Sequence, residues 1–510
     1  MHQSLYWSFS FITFALGLGL ATVRPLAATD YAIVTLADDL TVNGNCTLRE
    51  ALQAATSNSA VDACPAGSVS GMDTIALATG TYLTPLGVLD ATSSEEILIH
   101  GPAAEPPTAV ISGGGTHRIF DRFLAAGRLT LEDLELREGF DLGVSNPLGG
   151  AVRSGGSSLT ARRVHFIANV ARRGGAIAWY ATGAPRSLVL ESCLFAQNQA
   201  LHPDAADQAQ GGAVWANPTD AAEVRIVDTD FVENRAASSL ASDNVSAGAL
   251  EIATEGVGSL VTLERVRFEN NVAEATGTGG SATGGALHGS LNGNTFRMED
   301  LDLRGNNLGL STSSGFTGMI LFVSSATNGT LDRVRLQDNG SAPGTTQAFV
   351  GSSGQSIVRL RDALIAGGAN GLLAAASNDA TLRLDHLTVA DSPGFGLLLS
   401  EETAGSLVLE NSIVFGNGTD ISVDSGSPQI EPENLVGIDP LFTDAAGGDY
   451  TLAAGSPAED AGNTTSTFMG PYDLAHASRI VGPETDLGAF ERGAIFNDGF
   501  ETGDAGIWSF

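Results

Sequence analysis

Residues 260–271 read LVTLERVRFENN, and residues 187–198 read SLVLESCLFAQN. In both, positions 2 and 4 are apolar, 5 and 6 are polar, and 7 and 9 are apolar again. Each half alternates with period two, the mark of a strand with one buried face. One straight strand would turn positions 7 and 9 away from positions 2 and 4. A bend at positions 5 and 6 points both pairs into one interior. The stretch therefore describes two strands joined by a sharp corner.

The same twelve-residue pattern aligns without gaps at ten places, starting at Arg128, Ser158, Ser187, Glu223, Leu260, Thr295, Asn328, Ile357, Thr381 and Ser406. A second motif follows. Gly149-Gly150-Ala151-Val152, Gly174-Gly175-Ala176-Ile177, Gly211-Gly212-Ala213-Val214, Ala247-Gly248-Ala249-Leu250 and Gly284-Gly285-Ala286-Leu287 recur at intervals of 25, 37, 36 and 37 residues. Its glycines permit a close-packed corner, and its Ala-aliphatic step opens a third strand. A unit this short cannot bury its own apolar face and must stack on its neighbours. The expected fold is all-β: a right-handed parallel β-helix over residues 128–420, with three strands per rung.

Position 12 is Asn at Asn169, Asn198, Asn234, Asn271, Asn306 and Asn339, and again at Asn417. Asn tolerates left-handed backbone and stacks amide on amide, so the column reads as a structural ladder rather than a set of sugar or metal ligands. Outward position 8 presents Asp230, Arg267, Asp302 and Arg335 in successive copies. Alternating charge at a rung spacing of ~4.8 Å reads as a second ladder. Cys193 falls at inward position 7, where a buried, inert thiol is expected. Surplus length gathers between the Asn corner and the glycine motif, as in residues 200–210 and 236–247, on the side where solenoids commonly bind.

Both ends of a β-helix need covering. Thr47 and Glu50 fit a capping box, and Leu48, Ala51, Leu52 and Ala55 share one helical face, which predicts a capping helix over 47–57 ended by Asn58. Residues 29–127 then form this cap and the first rungs. After Asn417 the repeat decays into turn-rich sequence, read as a C-terminal cap over 421–492 folded on the last rung, with a short tail at 493–510.

The 510 residues are only 16% charged, and the formal net charge is −33, with Arg carrying the positive charge. This excludes nucleic acid and anionic membrane as partners, since both require basic patches. Leu5 to Leu20 is an apolar run followed by small residues, read as an export signal over 1–28, and no later stretch is apolar enough to span a bilayer. In an oxidising compartment Cys46 and Cys64 can pair across a short loop, a bond contributing ~3 kcal/mol.

Cys46-Thr47-Leu48-Arg49-Glu50-Ala51 resembles the Cys-Ser-Leu-Arg-Glu-Ala N-terminal domain of exported bacterial β-helix proteins, with Thr47 in place of Ser. The Phe-x-x-Asn units ending at Asn169, Asn198, Asn234 and Asn271, with the glycine motifs, resemble the repeats of polymorphic outer-membrane proteins. Residues 439–491 resemble the choice-of-anchor Q domain, and 498–509 resemble the Asp-Gly-Phe-Glu-Ser-Gly tails of some Gram-negative exported proteins. The resemblance implies a secreted or cell-surface protein with adhesive or structural use.

Many β-helices cleave or epimerise polysaccharides, and that chemistry would need outward carboxylates beside a base. Asp332, Arg335 and Asp338, with Arg333, form the best cluster. Arg359, Arg361 and Asp362 follow one rung on, then Asp385 and His386. A hydrolase would use such carboxylates as acid and base, and a lyase would use Arg with Ca²⁺. Each position is polar in most copies, so corner solvation is the preferred account of them. The expectation is a non-catalytic binder needing no cofactor. The alternative is a polysaccharide lyase or hydrolase using Asp332, Arg335 and Asp338.

Overall fold

The structure is a computed structural model that describes residues 28–123, 126–143, 148–183, 185–203, 208–309, 315–340 and 342–493. The export signal and the C-terminal tail read from the sequence lie outside these residues, except for Ala28 and Gly493 at their inner ends. The described chain winds into a right-handed parallel β-helix with three main sheets.

The twelve-residue copies make up the first sheet, and their gapless alignment is its register. Leu159 lies opposite Leu129, Val261 opposite Val224, Phe296 opposite Val261 and Leu360 opposite Leu331. Position 6 is left-handed in all ten copies, from Asp228 and Asn411 at φ 50° to Asp300 at 56°, and none of the ten is glycine. That one residue produces the bend the pattern demanded, and it lets Val261, Leu263, Val266 and Phe268 all bury together. A left-handed non-glycine residue costs on the order of 1 kcal/mol.

A second left-handed residue at position 11 turns the chain out of the first sheet, again in all ten copies, from Glu138 at φ 54° to Gly416 at 77°. The sequence reading assigned that conformation to the Asn, but the Asn sits one residue past it. Its side chain does form the ladder. In Asn234, Nδ2 donates to Asn271 Oδ1 at 3.0 Å and to the Phe195 carbonyl at 2.9 Å. Its Oδ1 accepts from the backbone N–H and the Nδ2 of Asn198, each at 3.0 Å. The same pattern runs unbroken from Asn169 to Asn339. It ends on Gln347, whose Oε1 takes the two Asn339 donors and whose side chain fills the space over Gly368. Inside this corner Phe166, Phe195, Phe231 and Phe268 stack nearly parallel, with centroids 4.6, 4.8 and 5.0 Å apart.

The glycine motif begins the second sheet, which runs twelve strands deep from Leu89–Asp90 to Thr419–Ser425. Its first residue is left-handed, a role Ala247 fills at φ 54°. Its second has no room for a side chain: a Cβ on Gly150 would sit 2.5 Å from the Gly175 carbonyl oxygen of the next rung. A short third sheet, Phe140–Asp141 to Asn307–Leu308, lies between the two corners. The surplus loops are not ragged. Ala209–Gln210, Asn244–Ser246 and Ser281–Thr283 pair into a lobe with its own small core of Ala200, Ala236, Val245, Ala273 and Ala282.

The helix is Leu48–Ser57, capped as read: Thr47 N–H donates to Glu50 Oε2 at 2.9 Å and Glu50 N–H to Thr47 Oγ1 at 3.2 Å, with Asn58 left-handed at the far end. Leu48, Ala51, Leu52 and Ala55 bury in the main core. Arg49 ties the helix down, bonding Asp38 and donating to the Gly87 and Val88 carbonyls at 2.6 and 2.8 Å. The Cys46–Cys64 disulfide is formed, with Cα atoms 5.0 Å apart. Cys193 is buried, and burial pushes its thiol up to about 12. At the C-terminal end Gln429–Ile430 and Leu435–Val436 add a last partial rung to the first sheet. The chain beyond packs on that rung, burying Leu452, Ala458 and Leu487 against Ile413 and Leu435. It doubles back along the outside of the first sheet.

The Asn ladder yields a direct test. Asn234→Ala strands two donors of Asn198 in a buried site, a loss of about 3 kcal/mol. The urea midpoint should fall accordingly. Asn234→Asp, which keeps the acceptor but turns a carboxylate oxygen on Asn271 Oδ1 and the Phe195 carbonyl, should lose at least as much.

Candidate functional site

Positions 5, 6 and 8 of the first sheet face outward, and their charged groups meet across rungs. The main ladder stands at position 6, on the left-handed residues. Arg163 bonds Asp133 at 2.7 and 2.9 Å, Arg265 bonds Asp228 at 2.5 and 3.1 Å, and Arg333 bonds Asp300 at 2.7 and 3.3 Å. The fork of Arg spans one rung spacing and takes both carboxylate oxygens. The position 8 ladder expected from the sequence is only partly present. Arg267 reaches Asp230 at 3.3 Å, whereas Asp302 pairs with Arg304 of its own strand at 2.8 Å.

Asp362 breaks the position 6 series, because the next rung holds His386 there rather than Arg. Its arginine comes from 117 residues away. Arg479 Nε and Nη2 donate to Asp362 Oδ1 at 3.0 and 2.6 Å, and both side chains are 1% exposed. Arg479 belongs to residues 439–492, which lie across the outward positions of the last rungs as a strap. Further contacts hold it there. Arg361 donates to the Phe468 carbonyl at 3.1 Å, and the Phe468 ring lies under Arg383 at 3.9 Å. His386 Nε2 meets Thr485 Oγ1 at 3.2 Å. The Asn463 N–H donates to Asn411 Oδ1 at 2.7 Å, and the Tyr450 hydroxyl donates to Asp391 at 2.9 Å. Leu364, Ala366 and Ala390 of the sheet bury against Leu474, Ala489 and Phe490 of the strap.

The residues singled out from the sequence are thus placed as follows. Asp332 is 4% exposed and held by both forks of Arg361, one contact at 2.7 Å. Arg335 is half-buried and in register with Asp302, and burial draws its pKa below the ordinary arginine value. Asp338 is exposed at the left-handed position 11. The three occupy positions 5, 8 and 11 of one strand, Asn328–Gln337, and the corner that follows it. Asp362, Asp385 and His386 are brought together, at 1%, 1% and 0% exposure, beneath the strap. His386 Nδ1 lies 2.7 Å from Asp385 Oδ1. The sequence reading missed the strap, although one signal marks it. Position 8 stops being charged after Arg335 and becomes Leu364, Thr388 and Ile413. Three successive uncharged positions, two of them large aliphatics, call for a cover.

Burial sets the titration of this region. It pushes the Asp362 carboxyl up to about 7, opposed by Arg479 and reinforced by Asp385. It also pushes Glu491 up to about 7. It holds His386 down to about 4, helped by Arg479 and opposed by Asp385.

No protein-family model matches the chain, and no curated protein matches it in sequence. Solved structures align with it at low similarity. PfbA, a surface adhesin of Streptococcus pneumoniae, is 12% identical over 79% of this chain and 93% of its own, with a TM-score of 0.34. The pectate lyase Pel9A is 12% identical over 92% and 98%, with a TM-score of 0.34. The catalytic domain of an α-1,3-glucanase is 10% identical over 72% and 64%, with a TM-score of 0.35.

Two outcomes follow for the strap. Arg479→Met leaves Asp362 buried and unpaired, a loss of about 3–5 kcal/mol. Limited proteolysis should then cut within 439–492, and Asp362→Asn added to Arg479→Met should restore much of the protection. The second concerns pH. His386 is held below its unfolded value of 6.5, so its contribution is present above that pH and is lost as pH falls towards about 4, roughly 3 kcal/mol in all. Glu491, raised from 4.5, works the other way, its contribution present in acid and lost as pH rises through about 7. His386→Asn keeps a residue type that Asn411 shows at the same left-handed corner. Melting curves between pH 4 and 7 should show a shallower acid loss in the variant, and an unchanged acid limb would remove His386 from this account.

Proposed function

We propose that this protein is an exported, extracellular β-solenoid that works by binding, as an adhesive or structural surface component, and not by catalysis. One observation carries the reading. Much of the outward polar cluster that a polysaccharide-cleaving enzyme would use lies beneath the chain's own C-terminal strap. Asp332, Asp362, Asp385 and His386 are at most 4% exposed and bond Arg361, Arg479, Asn411 and Thr485, although Asp362 Oδ2, Asp385 Oδ2 and His386 Nδ1 are buried without a hydrogen-bond partner among the described residues and Asp338 stays exposed. A catalytic acid and base need to reach a substrate proton directly or through one water. The disulfide supports an oxidising compartment. No helix among the described residues is long and apolar enough to cross a membrane. The acidic composition supports a partner that is neither nucleic acid nor anionic lipid.

The competing reading is a polysaccharide lyase or hydrolase working through Asp332, Arg335 and Asp338, with Ca²⁺ in the lyase case. The test is to incubate the purified protein with a polysaccharide panel, with and without Ca²⁺, and to measure bound glycan together with new reducing and unsaturated ends. The expected outcome is no new ends under either condition. New ends that vanish in Asp338→Ala or Arg335→Ala would make the protein an enzyme.

A further inference from the structure

The strap lies along the first sheet; the outer face of the second, covered in part by Leu148 and Arg173 over Trp215, carries an unusual set of side chains. Between Phe120–Phe123 and Thr345–Ser352 the sheet is eight strands deep, about 34 Å at ~4.8 Å per strand. One outward column holds Asp121, Arg153, Trp215, Glu251, His288 and Phe349, of which Trp215 and Glu251 are themselves buried. The neighbouring column holds Phe123, Tyr180 and Phe322. Two of the rings lie down on the sheet rather than standing off it, and glycines make this geometry fit. A Cβ on Gly155 would come within 2.5 Å of the Tyr180 hydroxyl oxygen, and one on Gly351 within 2.5 Å of the Phe349 ring. A ring laid flat on a strand presents its other face outward.

The rings form two groups. Tyr180 lies 5.9 Å from Phe123 and 6.3 Å from Trp215, centroid to centroid. Phe322, 45% exposed, lies 4.8 Å from Phe349 and 6.1 Å from His288. Fixed polar groups stand beside and between them. Arg153 is held by Asp121 at 3.0 Å and lies 4.7 Å over the Phe123 ring. Glu251 accepts from Ser246 at 2.8 Å and contacts His288 Nδ1 at 2.9 Å. The rings of Tyr180 and Phe322, with Arg153 and His288 held in place beside them, match the two surfaces of a sugar: the C–H face of a pyranose and its hydroxyl rim. The charges within the strip are already paired, and the whole chain carries −33, which opposes a polyanion.

We propose that this strip is the binding face of the protein and that its ligand is a neutral polysaccharide lying along the solenoid axis across Tyr180 and Phe322. The proposal rests on the non-catalytic binding reading above and adds the site and the ligand class to it. Binding would be measured by titration calorimetry on the full protein with soluble neutral glycans (β-1,4-glucan, β-1,3-glucan and mannan oligosaccharides), with polygalacturonate and alginate as anionic controls. At least one neutral glycan should bind, and no anionic one. Tyr180→Ala and Phe322→Ala should each weaken binding about ten-fold, in line with the worth of a stacked ring. Phe322 is 45% exposed, so the melting temperature of Phe322→Ala should stay within a few degrees of the parent; Tyr180 packs beside Leu148, Ala178 and Trp215, so Tyr180→Ala is read together with Tyr180→Phe, which keeps the ring and should retain binding. Three results would overturn the proposal: no neutral glycan bound, anionic glycans bound in preference, or binding indifferent to both alanine variants. A fourth is self-association of the parent protein in sedimentation that Phe322→Ala abolishes, which would make the strip a contact between copies. Binding that survives in both variants would sink this site and leave the binding reading standing, whereas new glycan ends would sink that reading itself.

Discussion

Two strands can share one interior across a corner only if a residue between them turns the chain through the missing half-period. Here that residue sits at position 6, always left-handed and never glycine. The strain is repeated at each turn, and repetition is what makes it tolerable. Every corner has its image one strand-spacing away, so a group left facing outward on one rung finds a complement on the next. Asp and Arg meet there on alternate rungs, and at the following corner the Asn amides close into a continuous chain of hydrogen bonds. The interior packing of leucines, valines and stacked phenylalanines depends on those corners staying superimposed.

The parts of the fold readable from sequence are those with a short period. The apolar pairs at positions 2, 4, 7 and 9 required a bend, and the structure puts one left-handed residue there. The gapless alignment of ten copies turned out to be the register of the first sheet, because a parallel sheet stacks like on like. Thr47 and Glu50 announced a helix start through chemistry confined to four residues. The strap was not readable in the same way. Arg479 and Asp362 are 117 residues apart, and nothing local to either identifies the other. Hence nothing local to Asp332 or Asp362 told that much of their cluster lies beneath the chain's own end. The loss of charge at Leu364, Thr388 and Ile413 was the available clue, visible only against the regularity of the earlier rungs.

Composition and architecture are linked more closely than net charge suggests. The 25 basic residues are all arginine. A guanidinium offers a planar fork whose donors match a carboxylate, or reach two carboxylates on adjacent rungs, as Arg162 does between Glu132 and Glu191. An ammonium on a flexible stem would provide charge without that alignment. A chain with few cations, each set where it can bridge rungs, keeps its corners tied and leaves the rest of its surface acidic.

The borrowed arginine gives the molecule an order in time. A solenoid of this kind can add rungs as the chain emerges, since each contacts only its neighbours. The turns carrying Asp362, Asp385 and His386 can stack in that way, but their outward faces stay open to water, with Asp362 lacking its counter-ion, until the residues around Arg479 have been made. Synthesis therefore completes the last rungs twice: once when their strands pair, and again when the end of the chain returns to seal them.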